Sequence, residues 1–198
     1  MSYSIESITE SIGARRVGNR PATIDWLLTD SRSLSFPEET LFFALTTKRN
    51  NGARYIPDLY ARGVRNFVVS EENFHSIESE NWQFANVLVV PNSLKALQKL
   101  AEQHRGKFQI PVIGITGSNG KTVVKEWLHQ LISPERVIVR SPRSYNSQIG
   151  VPLSVWQMNE QSELAIFEAG ISEPGEMRAL QNMIQPTIGI LTNIGGAH

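Results

Sequence analysis

The fold is decided by one stretch of the chain, Val112-Ile113-Gly114-Ile115-Thr116-Gly117-Ser118-Asn119-Gly120-Lys121-Thr122. This stretch opens with apolar residues, passes through small and polar ones, and leads into a segment with helical spacing as far as Ile132. A short apolar run that ends in glycines is typical of a buried strand followed by a tight turn. The stretch therefore predicts a strand from Val112 to Thr116, a loop, and a helix from Lys121 to Ile132.

The loop between this strand and this helix has the residues that binding of phosphate groups requires. Gly117 and Gly120 allow the backbone to come close to an anion, and the start of a helix offers free N–H groups and a positive dipole end. Lys121 can reach β- and γ-phosphates, and the Thr122 hydroxyl can bind the Mg²⁺ ion that bridges them. We therefore predict an ATP and Mg²⁺ site that consists of Gly117, Ser118, Asn119, Gly120, Lys121 and Thr122.

The general phosphate-loop pattern is not fully met, because it has a glycine at the position where this chain has Ile115. The same residues could form a Gly-rich turn from strand to helix whose lysine is solvated. The Gly-Lys-Thr ending at 120–122, between a strand and a helix, favours the phosphate loop.

Strands and helices alternate through the rest of this part of the chain. Further elements are predicted as strands at 136–140, 164–168 and 187–192 and as helices after Ser147 and from Pro174 to Ile184. Parallel strands joined by helical crossovers are buried on both faces, which explains apolar runs such as Ile188-Gly189-Ile190-Leu191. The pattern predicts an α/β fold with a parallel sheet.

A smaller α/β unit precedes this series. Short apolar runs alternate with turn residues from Ile24 to Val90, and a helix is predicted from Tyr55 to Arg62. Pro91 then breaks the chain before the next helix. We therefore predict two domains: a small α/β domain at 1–91 and a P-loop parallel-sheet domain at 92–198. Because the chain stops just after the last predicted strand, we expect the second domain to be incomplete.

Composition excludes several classes of function. The 19 basic and 19 acidic residues cancel and form no long run of one sign, so a nucleic-acid partner is not expected. The absence of cysteine excludes disulfides, thiolate zinc sites and thiol nucleophiles, and fits a reducing compartment. No run approaches the roughly 18 apolar residues that span a bilayer. We expect a cytoplasmic protein without membrane partners.

Three segments that follow the loop carry a family resemblance. In chain order they are Tyr145-Asn146-Ser147-Gln148-Ile149-Gly150-Val151-Pro152-Leu153, then Glu168-Ala169-Gly170 with Pro174-Gly175-Glu176-Met177, then Thr192-Asn193-Ile194-Gly195-Gly196-Ala197-His198. Together with the loop they resemble the Mur ligase family, ATP-dependent enzymes that form amide bonds in bacterial cell-wall precursors. The first domain is similar through Thr29-Asp30-Ser31-Arg32 and Asn51-Gly52-Ala53-Arg54-Tyr55, although the family more often has Asp-Gly-His at 51–53.

The resemblance also implies substrates and a reaction. The segments are most similar to the ligase that adds D-alanyl-D-alanine to UDP-N-acetylmuramoyl-tripeptide, in the version fused to alanine racemase. In such ligases the substrate carboxylate attacks the γ-phosphorus of ATP, and the amine then displaces phosphate from the acyl phosphate. The first domain would hold the uridine-diphosphate end, with Ser31 and Arg32 as substrate-binding residues. A further domain and any racemase would lie beyond His198, so the resemblance implies that the 198-residue piece alone is inactive.

Candidate catalytic residues gather at one edge of the predicted sheet. Lys121 and His198 follow predicted strands and Glu168 is the last residue of one, and ligands bind at the carboxyl ends of parallel strands. The resemblance implies that Thr122, Glu168 and His198 hold Mg²⁺ and that Asn146 lies near the γ-phosphate or the substrate. The candidate catalytic residues are therefore Lys121, Asn146, Glu168 and His198.

Other polar residues are interpreted as surface residues. Lys125 is assigned to the helix surface, and His75, His104 and His129 lack metal-ligand spacing. Two other functions stay open at this point: a nucleotide-binding module without turnover, and an ATPase or kinase of another phosphate-loop family.

Overall fold

The computed structural model describes residues 1–47, 50–77, 84–171 and 173–195. The chain divides into two compact units, Met1–Leu97 and Gln98–His198. Each unit has its own β-sheet and its own apolar core, so the predicted α/β class is confirmed. No helix in these described ranges has both the length and the apolar character needed to cross a membrane.

Short strands and helices make up the first unit. In chain order they are β1 (Tyr3–Ser4), α1 (Ile5–Ile12), β2 (Arg15–Val17), β3 (Thr23–Ile24), β4 (Trp26–Leu28), β5 (Thr40–Phe43), β6 (Thr46–Thr47), β7 (Asn50–Asn51), α2 (Ile56–Ala61), β8 (Asn66–Ser70), α3 (Glu71–Ile77) and β9 (Asn86–Val90), with 3₁₀ helices at Ser31–Ser33 and Gly52–Tyr55. One sheet has the order β2-β9-β8-β5-β4, in which β2 is antiparallel to β9 and the other pairs are parallel. Separate antiparallel pairs join β1 to β3 and β6 to β7.

The central strands of this sheet are buried because both of their faces are apolar. Leu41, Phe42 and Phe43 of β5 are at most 1% exposed. Ile56 and Leu59 of α2 belong to the same core cluster as Phe42. The strands and the helix that the sequence predicts here are present, whereas α1 was not predicted.

A four-stranded parallel sheet organises the second unit. The elements are α4 (Ser93–Arg105), β10 (Val112–Thr116), α5 (Lys121–Ile132), β11 (Ile138–Arg140), α6 (Gly150–Val155), β12 (Leu164–Glu168), α7 (Glu176–Ile184) and β13 (Ile188–Leu191). The strand order is β11-β12-β10-β13 and every pair is parallel, as the alternating pattern predicts. The two compact units divide inside α4, between Leu97 and Gln98, whereas the sequence places the boundary near Pro91.

Alternate residues of β10 face two different helical layers. Ile113 and Ile115 pack with Val124 and Leu128 of α5. Val112 packs instead in a cluster with residues of α6 and α7. This is the two-residue period of a β-strand, in which successive side chains point to opposite faces. Strand β10 is therefore packed against an apolar core on each side of the sheet.

Strand β13 differs from the prediction that it is buried. Ile188 is 48% exposed and Leu191 is 57% exposed. Among the strands that the structure describes, β13 pairs only with β10 and stands at the edge of the sheet.

Candidate nucleotide-binding site

The loop between β10 and α5 has a conformation that needs glycine at two positions. Gly117 has a φ of +132° and Gly120 a φ of +82°, where L-amino acids are rarely found. A Cβ atom at Gly117 would also lie 2.2 Å from Oγ1 of Thr192. The chain can make this tight turn because neither residue has a side chain.

The loop is braced by the segment that follows β13. The Ser118 N–H donates to Asn193 O at 3.1 Å, and the Asn119 N–H donates to Asn193 Oδ1 at 2.9 Å. The Thr192 hydroxyl donates to Asn119 O at 2.5 Å. Sequence reasoning assigned this segment to a motif but missed the role of Asn193. Its place directly after a strand that pairs with β10 is the signal that could have identified it.

The start of α5 keeps N–H groups that can bind an anion. Gly120 is the N-cap, and no side chain in the described part of the protein caps this helix. The first N–H groups of a helix have no partner within it, and the positive end of the helix dipole lies there. Because Asn193 already accepts from Ser118 and Asn119, the donors available to a phosphate are those at the start of α5.

Lys121 and Asn146 line the same cleft. Its volume is about 680 Å³, within the range of roughly 300–1,000 Å³ that is usual for ligand sites. Lys121 Nζ donates to Gly117 O at 2.6 Å, which places the cation against the loop. The Gly170 N–H donates to Asn146 O at 2.8 Å, and a Cβ at Gly170 would lie 2.8 Å from Asn146 Cγ. The absence of a side chain at Gly170 thus leaves room for Asn146 at the cleft.

Glu168 stands at the carboxyl end of β12, beside the loop. It is fully buried, and its Oε2 accepts a hydrogen bond from the Thr122 hydroxyl at 3.0 Å. The parallel register pairs Ile115 with Glu168, which explains why the end of one strand meets the helix that follows the other. Glu168 does not line the cleft itself and is linked to it through Thr122, the neighbour of Lys121.

Thr122 and Glu168 suit a magnesium ion, which prefers hydroxyl, carboxylate and water oxygens. Both oxygens of Glu168 have a neighbour, since Oε1 lies 2.9 Å from Lys125 Nζ and Oε2 accepts from the Thr122 hydroxyl, so a cation would bind through a remaining lone pair of the carboxylate. The described ranges contain no group of His, Cys, Asp or Glu residues that could hold a metal alone, so phosphate and water oxygens would complete the coordination. The predicted third ligand, His198, lies outside the described residues.

Lys125 is buried, which corrects its assignment to the helix surface. Its side chain is 0% exposed, and Nζ lies 2.9 Å from Glu168 Oε1. Nζ also donates to Ser141 O at 2.8 Å and to Arg143 O. A buried ammonium needs such partners. They come from segments distant in sequence, so helical spacing could not reveal them.

Comparison with known proteins identifies the family. A family model for the Mur ligase middle domain matches residues 115–198. A relative from Treponema pallidum, named UDP-N-acetylmuramoyl-tripeptide–D-alanyl-D-alanine ligase, is 34% identical over 204 residues that cover 100% of this chain and 44% of the relative. The chain belongs to the Mur ligase family.

Other Mur ligases match as well. The ligase of the same name from Bacillus subtilis is 31% identical over 175 residues, which are 88% of this chain and 37% of the relative. MurF from Acinetobacter baumannii covers 100% of this chain and 42% of its own with a TM-score of 0.86, and at 24% identity it shows the fold alone. MurF from Thermotoga maritima, solved with ADP, has a TM-score of 0.72 and 28% identity, covering 87% of this chain and 38% of its own. The chain spans about two fifths of the length of these relatives.

The candidate substrate residues Ser31 and Arg32 lie in the first unit, on the 3₁₀ helix Ser31–Ser33. Asp30 accepts hydrogen bonds from Arg32 Nη2 at 2.6 Å and from the Arg32 backbone N–H at 3.0 Å, which lower the pKa of Asp30 below its usual value. Arg62 Nη1 donates to Ser31 O at 2.9 Å. The Arg32 side chain is 87% exposed, so a ligand can reach it.

His104 corrects a further prediction, because it is 2% exposed rather than on the surface. Its ring lies 4.7 Å from that of Trp156, and Nε2 lies 3.0 Å from Met158 O. Burial lowers the pKa of His104 to about 4, although the contact with Met158 O acts in the opposite direction. His75 is exposed and His129 is half-buried.

Proposed function

We propose that this protein is an ATP-dependent ligase that adds D-alanyl-D-alanine to UDP-N-acetylmuramoyl-tripeptide in peptidoglycan precursor synthesis. The observation that carries the proposal is the cleft shared by Lys121 and Asn146, next to the hydrogen bond between Thr122 and Glu168. The names of the relatives from Treponema pallidum and Bacillus subtilis support this choice of substrates. The ADP complex of the Thermotoga maritima relative supports ATP as the phosphoryl donor.

The positions of Lys121, Asn146 and Glu168 support a role for each of them, and the role of His198 follows from the family resemblance. Lys121 and the first N–H groups of α5 bind the β- and γ-phosphates, and Asn146 contacts the γ-phosphate or the acceptor carboxylate. Thr122, Glu168 and His198 would hold Mg²⁺, which would neutralise phosphate charge. No protein nucleophile is needed, because positioning and charge neutralisation allow the carboxylate to attack the γ-phosphorus and the amine to displace phosphate from the acyl phosphate.

In this proposal the first domain binds one end of the substrate. Ser31 and Arg32 bind the uridine-diphosphate end of the acceptor, since Arg32 is an exposed cation. A reaction that consumes ATP places the protein in the cytoplasm. The fusion to alanine racemase stays a prediction, and the sequence that the gene encodes after His198 tests it.

Phosphate release tests the proposal directly. The full-length gene product is mixed with ATP, Mg²⁺, UDP-N-acetylmuramoyl-tripeptide and D-alanyl-D-alanine, and each component is omitted in turn. We expect release only when all are present. Release that ignores the UDP-linked peptide would indicate an ATPase or kinase of another phosphate-loop family, and nucleotide binding without release would indicate a binding module.

A further inference from the structure

The buried Lys125 connects parts of the site that come from different segments. It lies one helical turn after Lys121 on α5, so the two side chains project from the same face of the helix. Its ammonium group meets the carboxylate of Glu168 and the backbone carbonyl groups of Ser141 and Arg143. A second carboxylate, that of Glu126, lies 3.2 Å away.

The carbonyl contacts hold the start of the loop that leads to Asn146. Arg143 has a φ of +51°, a conformation that costs energy for a residue other than glycine. The Lys125 ammonium donates to the carbonyl of this residue and to that of Ser141. The Ser141 hydroxyl in turn accepts from the Glu168 N–H at 3.2 Å. The loop is therefore tied both to α5 and to the end of β12.

The carboxylate contacts fix the orientation of Glu168. Oε1 lies 2.9 Å from Lys125 Nζ, while Oε2 accepts from the Thr122 hydroxyl at 3.0 Å. The two oxygens of Glu168 thus contact two different residues, Lys125 and Thr122, which lie about one turn apart on the same face of α5. Because both charges are fully buried, the lysine also compensates a carboxylate that would otherwise be costly in the core.

We propose that Lys125 is a positioning residue that sets the Glu168 carboxylate and the 141–146 loop in the arrangement that accepts the magnesium form of the nucleotide. The proposal rests on the proposed function, because it takes Thr122 and Glu168 as the magnesium site. Lys125 acts through these groups and does not itself line the cleft.

Calorimetry with ADP, in the presence of Mg²⁺ and in the presence of a chelator, tests this role in the Lys125→Met variant. We expect the affinity for ADP with Mg²⁺ to fall by about 10- to 100-fold, as for other residues that orient metal ligands, and the affinity without Mg²⁺ to stay unchanged. Lys99→Met, at an exposed position of α4, is the matched control and should bind as the wild type does. Wild-type binding by Lys125→Met, or an equal loss with and without Mg²⁺, would overturn the proposal.

If Lys125→Met does not fold, the Lys125→Arg variant tests the positioning role of Lys125 instead. Arginine keeps the charge, but its planar group cannot direct N–H bonds to the same acceptors. We expect this variant to gain less affinity from Mg²⁺ than the wild type, and an equal gain would contradict the proposal. If the wild type itself gains nothing from Mg²⁺, the magnesium site of the proposed function fails instead.

Discussion

His104 is a neutral side chain in the core of the second unit at neutral pH. Its ring lies between Trp156 and Phe108, with ring centroids 4.7 Å and 5.0 Å away. Burial disfavours the imidazolium form, so the pKa of His104 is about 4 instead of its ordinary value of 6.5. Protonation therefore occurs more readily in the unfolded chain than in the folded one.

This difference predicts a loss of stability on acidification. The contribution of His104 is fully present above pH 6.5, decreases as the pH falls from 6.5 towards 4, and is lost below the folded pKa. A shift of this size corresponds to about 3 kcal/mol. Urea unfolding of the wild type and of His104→Gln at pH 7.5 and pH 4.5 measures this loss of stability. We expect the wild type to lose more stability than the variant, and parallel losses would show that His104 is not the cause.

Gly117 controls the geometry of the loop that joins β10 to α5. Replacement by alanine forces a side chain into a positive φ, which costs about 1–3 kcal/mol, and into contact with Thr192 Oγ1. We expect Gly117→Ala to weaken nucleotide binding and to lower stability. Gly189→Ala in β13 is the control, because its Cβ would meet nothing within 4 Å. Equal nucleotide affinities of the two variants, measured by calorimetry, would contradict this account of the loop.

Arg105 supports the end of α7 from the end of α4. Its guanidinium donates to Ile184 O at 2.8 Å, to Gln185 O at 3.0 Å and to Phe108 O at 2.7 Å. Arg105→Leu would leave these carbonyl groups without a partner, and we expect a loss of about 3 kcal/mol in the free energy of unfolding. The exposed Arg136→Leu serves as the control. A similar stability of the two variants in urea would refute the assignment.

Helices and strands could be predicted from the sequence where the spacing of apolar residues and the positions of glycines indicate the same boundaries. Strand β10 and helix α5 have the predicted bounds, because an apolar run, a Gly-rich turn and a helical pattern follow one another. Helix α1 was not predicted, although its buried residues Ile5, Ile8 and Ile12 have helical spacing in the sequence. The surroundings of Lys125 and His104 could not be predicted, since their partners are set by tertiary packing.

At the scale of the whole molecule, we expect substitutions in the two compact units to affect the binding of different ligands. We expect Arg32→Ala to raise the KM for the UDP-linked peptide by about tenfold, because the variant loses a charge-assisted hydrogen bond to the substrate. The affinity for ATP should stay unchanged. Lys95→Ala, at an exposed position of the same unit, should change neither value. Steady-state kinetics of the full-length gene product and ATP calorimetry provide the comparison. A change in ATP affinity alone would mean that Arg32 has another role.

Nucleotide binding depends on the phosphate site at the start of α5. Lys121 is the cation of this site, held at the loop by its 2.6 Å hydrogen bond to Gly117 O. The most direct measurement is calorimetry of ATP with Mg²⁺ against the wild type, Lys121→Ala and the exposed control Lys99→Ala. We predict that the wild type and the control bind ATP and that Lys121→Ala does not. An unchanged affinity in Lys121→Ala would place the nucleotide elsewhere and contradict the account.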